Sequence, residues 1–113
     1  MSKTNADKNE AKIRLDKWLW AARFYKTRAL AKAAIEGGKV QYDGQKSKAS
    51  RTVDLEITVK VRQGHDEKVV VIKQISDQRR GAPEAALLYE ETALSIKTRM
   101  DEAERRKKFK QAN

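Results

Sequence analysis

Residues 14–44 read RLDKWLWAARFYKTRALAKAAIEGGKVQYDG, and the order of signals in this stretch decides the fold. Leu15, Trp18, Leu19 and Ala22 fall at i, i+3, i+4 and i+7, one face of a short helix. Asp16 sits where a cap, a first-turn acid or a partner for Arg14 belongs. Steps of about 100° per residue send Lys17, Trp20 and Phe24 to the opposite face, with Arg23 at its border. Tyr25 and Lys26 break the pattern. Thr27 then caps a second helix from Arg28 to Glu36, with Leu30, Ala31 and Ala34 as its inner stripe. Arg28, Lys32 and Glu36 recur every fourth residue along an outer edge. Gly37-Gly38 ends this helix, because glycine accepts the left-handed backbone past a helix terminus. Residues 39–42 alternate, and Asp43-Gly44 is the signal of a type I′ hairpin that returns through Gln45-Lys46.

Outward from this stretch the signals are simpler. Residues 1–11 are polar and read as a disordered lead-in. Residues 47–52 form a polar, basic loop. Leu55, Ile57, Val59 and Val61 alternate with Glu56, Thr58, Lys60 and Arg62, which predicts a half-buried strand. A turn over 64–67 places His65 in solvent. The apolar run Val69 to Ile72 predicts a strand within 68–75, covered on both sides or by a helix. Residues 78–83 read as a linker, with Pro83 suited to opening a helical turn before Tyr89. Glu90 and Glu91 read as helix surface. Thr92 caps a last helix whose inner side includes Leu94, Ile96 and Met100 and whose end is basic. The expected class is therefore α+β: two short N-terminal helices on a small, mostly antiparallel sheet, plus a C-terminal helix. The expected division is 1–11 as lead-in, 12–77 as the folded binding unit, and 78–113 as linker and helical extension.

Charge is concentrated in one part of the chain. Residues 12–51 hold eleven Lys/Arg and three acids, which is +8 of the formal +10. The rest of the chain is nearly balanced. Apolar residues run through this block, so its cations sit on a folded support at fixed spacing, a match for a polyphosphate backbone. Arg14, Lys17, Arg23, Lys26, Arg28 and Lys32 are the helical candidates for RNA contact. Lys39, Lys46, Lys48 and Arg51 extend them along the sheet edge. Arginine grips phosphate with two parallel hydrogen bonds, which puts Arg14, Arg23 and Arg28 first. Thr27 adds a hydroxyl at a helix start. Trp20 is left with two readings, stacking on a base or packing against the C-terminal helix.

Other classes find little support. The chain has 113 residues, no cysteine and one histidine, so thiolate chemistry and a histidine-rich metal site are excluded. No run approaches the roughly 20 apolar residues of a membrane span. Phosphate-loop and dinucleotide fingerprints are missing. No catalytic residue, metal or cofactor is expected, and the expected state is a cytoplasmic monomer.

The string Arg14-Leu15-Asp16, Leu19, Thr27-Arg28, Ala31, Ile35, Gly38-Lys39-Val40, Asp43-Gly44 and Ser50 resembles the S4-type RNA-binding domain. Within that family, residues 14–31, 35–40, 62–64 and 84–92 are similar to a bacterial ribosome-associated heat-shock branch. That resemblance implies an S4-like fold with one face presented to structured RNA. It implies the RNA of the large ribosomal subunit as partner, on free subunits that carry a peptidyl-tRNA after interrupted translation. It further implies a part in their rescue during heat stress, and non-specific DNA binding as a property of the family. The residues themselves leave open a nucleoid-type DNA/RNA binder, an assembly factor or structural ribosomal protein, and a small nuclease.

Overall fold

The computed structural model describes residues 12–64 and 66–112, with side chains as far as Lys107. The lead-in over 1–11 and the reading of His65 lie outside the described residues. Helix α1 (Leu15–Ala21) buries Leu15, Trp18 and Leu19, and its C-cap Ala22 completes the expected stripe. The 48–51 loop supplies its first acceptors: the Leu15 amide donates to Arg51 O at 2.7 Å and the Asp16 amide to Ala49 O at 3.2 Å. These two amides would otherwise lack partners at a helix start. The buried indole of Trp18 donates from Nε1 to Gln74 O at 2.9 Å, which satisfies its one polar atom.

Phe24 departs from expectation. Helical spacing puts it on the face opposite the stripe, but it is buried. The helix stops at Ala21 and Arg23 adopts a left-handed backbone with φ 66°. That turn folds Phe24 back beneath α1, where its ring lies 6.1 Å from Trp18 and 4.7 Å from Tyr89. Helix α2 (Arg28–Glu36) has the expected cap, with the Leu30 amide donating to Thr27 Oγ1 at 3.1 Å. Its inner stripe is Ala31, Ala34 and Ile35, whereas Leu30 is 52% exposed. The helix is rotated so that Ile35, near its far end, fills the core in place of Leu30.

A five-stranded antiparallel sheet lies against these helices in the order β2-β1-β3-β4-β5. Strands β1 (Val40–Tyr42) and β2 (Gln45–Lys46) are joined through Asp43 and Gly44, with φ 55° and 78°, the type I′ geometry expected. Strand β3 (Thr58–Gln63) directs Val59 and Val61 inward. The alternation does not extend back to Leu55, which is 54% exposed, because Glu56 takes φ 64° and breaks the period. Strand β4 (Asp66–Ile72) starts two residues earlier than expected. It buries Val70 and Ile72 and leaves Val69 and Val71 half-buried, so its second face is only partly covered.

The C-terminal part differs most from the sequence reading. After helix α3 (Ala82–Ala85) and a 3-10 turn (Ala86–Leu88) comes strand β5 (Tyr89–Glu91), which pairs with β4. Glu90 and Glu91 thus stand on a strand rather than a helix. Helix α4 (Ala93–Ala112) is capped by Thr92 Oγ1, which accepts from the Ser95 amide at 3.1 Å. The side chains expected to face inward, Leu94, Ile96 and Met100, are 73%, 40% and 65% exposed. Polar anchors hold the helix instead. Ser95, itself buried, accepts from the Val69 amide at 3.0 Å and donates to Glu91 Oε2 at 2.6 Å. Arg99 clamps Glu91 from Nε and Nη2 at 2.8 and 2.6 Å. Ser95 takes over the sheet ladder where β5 ends, so a hydroxyl does what an apolar contact was expected to do.

Candidate nucleic-acid interface

The cations of the N-terminal block separate into groups once they are placed on the fold. A groove of about 410 Å³ runs between α1, α2, β2 and the 47–50 loop. Arg14, Lys32, Lys46 and Lys48 line it, together with Glu36, Ser47 and Ser50. Four of the expected residues therefore converge, although they stand up to 34 positions apart in sequence. Arg28 joins them through Asp16.

Asp16 is 3% exposed and lies between two guanidinium groups. Arg14 donates to it from Nε at 3.2 Å and from Nη2 at 3.0 Å, and Arg28 donates from Nη2 at 3.4 Å. Both arginines remain about half exposed, at 47% and 45%. Burial pushes the Asp16 carboxyl up, but the hydrogen bonds and charge of Arg14, with the charge of Arg28, outweigh burial and hold it below the usual carboxylate range. Asp16 raises the Arg14 guanidinium in return. The carboxylate is a fixed counterion that orients two cations and reduces their mutual repulsion.

The other candidates are arranged differently. Arg51 lies over the buried Tyr42 ring with Cζ at 4.7 Å, a cation–π contact that restrains it near the groove's loop. Thr27 uses its oxygen as the α2 cap. Arg23 donates from Nη1 to Arg80 O at 3.0 Å, so its guanidinium holds the 78–81 segment. Arg79 reciprocates, donating to Trp20 O and to Tyr25 O, the latter at 2.9 Å. The Arg79 guanidinium also lies over the Trp20 ring, with Cζ at 5.8 Å. Trp20 is half-buried under this cation and packs against the core. Its partner is a linker arginine, not the C-terminal helix. Lys17 is half-buried, and Lys26 and Lys39 are exposed; none of the three lines the groove.

Three features were missed in the sequence. Ser47 lines the groove between its cations beside Ser50, and a lone serine in a polar loop carries no signal of its own. The bridge from Asp16 to Arg28 spans twelve positions and two helices, beyond any local spacing rule. Arg79 and Arg80 sat in a segment read as a bare linker. Among the described residues no three His, Cys, Asp or Glu side chains cluster to hold a metal ion, and no helix is long and apolar enough to cross a membrane.

The groove falls within residues 13–57, which match the S4 domain family. The chain is 62% identical over 93 residues to heat shock protein 15 of Escherichia coli K12, covering 82% of this chain and 70% of that protein. It is 58% identical over 98 residues to the heat shock protein 15 homolog of Haemophilus influenzae, covering 87% and 75%. A solved structure of Vibrio cholerae heat shock protein 15, described as trimeric, superposes with a TM-score of 0.83 at 60% identity, over 84% of this chain and 96% of that one.

Proposed function

The chain belongs to the heat shock protein 15 family, an RNA-binding family built on the S4 domain, and from that premise we propose that it docks on the RNA of the large ribosomal subunit. The subunits it engages are free ones that still carry a peptidyl-tRNA after interrupted translation, and its binding aids their recycling under heat stress. It acts as a binder and not as an enzyme. The observation that supports this reading best is the convergence of Arg14, Lys32, Lys46 and Lys48 on one groove, with Arg28 tied in through Asp16. Five cations on rigid elements, interleaved with two serine hydroxyls, suit the phosphates and 2′-hydroxyls of folded RNA. The binding unit is residues 12–77, and 78–113 are an extension, which adds strand β5 to the edge of the sheet.

Binding of labelled protein to purified large subunits, with duplex DNA as competitor, tests the reading. Saturable binding that DNA fails to displace at equal nucleotide concentration supports it. Displacement by DNA favours a general nucleic-acid binder. One chain supplies every wall of the groove, so a single copy is proposed as the unit that binds. The Vibrio cholerae relative's trimer gives the contrasting case, and sedimentation velocity separates a mass of 12.9 kDa from a multiple of it.

A further inference from the structure

Two acids accompany the groove cations, in opposite situations. Glu36 is exposed on the groove wall and touches neither guanidinium among the described residues. Asp16 is buried and bonded to both. A carboxylate in a phosphate-binding groove repels its ligand, so on charge alone both acids weaken binding. Asp16 has a second effect that Glu36 lacks. It engages Arg14 through Nε and Nη2 and Arg28 through Nη2. The Nη1 groups of both arginines make no hydrogen bond among the described residues. Two long side chains that would otherwise sample many rotamers are thus held beside one another, with donors left over for a ligand.

We propose that Asp16 is a positioning residue for RNA binding: its buried carboxylate fixes the Arg14 and Arg28 guanidinium groups as a paired clamp for one stretch of phosphate backbone. The inference rests on the groove being the RNA site. It identifies the forked pair, not the lysines, as the part that recognises phosphate geometry, and it makes an acid a net contributor to anion binding. Asp16 restrains the clamp before the ligand arrives, so less side-chain entropy is lost on docking.

Sign distinguishes positioning from simple electrostatics. Asp16→Asn and Glu36→Gln each raise the formal charge by one from +10. Titration of each variant into purified large ribosomal subunits should show Glu36→Gln binding about twofold tighter, as weakened repulsion requires. Asp16→Asn should bind about tenfold weaker, because the clamp loses its charged anchor. If Asp16→Asn instead tightens binding as Glu36→Gln does, the positioning role is overturned. If neither the natural chain nor Glu36→Gln binds subunits saturably, the function proposed above fails, a separate outcome. Circular dichroism checks folding. Should Asp16→Asn not fold, the doubly substituted Arg14→Lys, Arg28→Lys chain decides the matter. It keeps Asp16 and every charge but removes the planar forks. An affinity about tenfold lower with an unchanged salt slope supports the clamp, and an unchanged affinity overturns it.

Discussion

The groove and helix α4 are both crowded with charge, yet they use it in opposite ways. Arg14, Lys32, Lys46 and Lys48 share the groove with a single lining acid, Glu36, and the buried Asp16 orients Arg14 together with Arg28. Along α4, Lys97, Arg99, Arg105 and Arg106 each meet a neighbouring acid. Arg99 is clamped to Glu91, Lys97 meets Asp101 at 3.0 Å, and Arg105 and Arg106 share Glu102 at 3.3 and 4.0 Å. Cation number alone therefore does not mark a binding surface. The excess left after local pairing does, together with a support that holds the excess in place.

The largest expected effect comes from removing the excess. Arg14→Ala combined with Arg28→Ala should weaken large-subunit binding by about a hundredfold at moderate salt, while Arg105→Ala combined with Arg106→Ala should change it less than about twofold. Equilibrium titration of both variants checks this; comparable losses would erase the distinction between the two regions. A smaller effect is expected in the salt dependence. With five groove cations engaged, the log–log slope should lie near −4, and it should become shallower by about one for Lys46→Ala and stay fixed for Lys97→Ala.

Stability should respond in the reverse order. Glu91→Gln removes the acceptor shared by Arg99 and Ser95 and should cost about 1–2 kcal/mol in urea unfolding, with subunit affinity unchanged. Acid should reveal both clamps. Neighbouring arginines depress the Asp16 and Glu91 carboxyls in the folded chain. Each therefore contributes stability that is fully present above the ordinary carboxylate value of about 4 and lost as pH falls through the lowered folded value. Urea midpoints measured from pH 7 down to pH 3 should stay level and then fall. Asp16→Asn and Glu91→Gln should each flatten part of that fall, and an unaltered acid limb in both would count against the two clamps.

The N-terminal half was legible because its rules are local. The α1 stripe, the Thr27 cap and the Asp43-Gly44 turn each depend on residues within seven positions of one another, and all three are present. Failures arose where a neighbour distant in sequence decides the outcome. Leu30 and Ile35 are both apolar at the border of the α2 stripe, and packing against α1 and the sheet buries Ile35 and leaves Leu30 exposed. Leu55 fits the β3 alternation until Glu56 turns left-handed. Strand β5 is three residues long, too short to show a period, and it exists because β4 offers a free edge. Helix α4 was expected to dock through Leu94, Ile96 and Met100, but a buried serine and an arginine–glutamate clamp dock it instead. At the site the same division holds. The charge of each cation could be read from the sequence, but not which of them converge: Arg14 and Arg28 meet at Asp16, whereas the Arg23 guanidinium donates to the Arg80 carbonyl.

Lysine reactivity offers the most direct test of the contrast between the two regions. Acetylation of the full chain, alone and bound to purified large subunits, followed by mass mapping, reports each lysine in a single experiment. The account predicts that Lys32, Lys46 and Lys48 become protected on binding, while Lys97 and Lys107 react as they do in the unbound chain. Unchanged reactivity at the three groove lysines, or protection confined to α4, would contradict it.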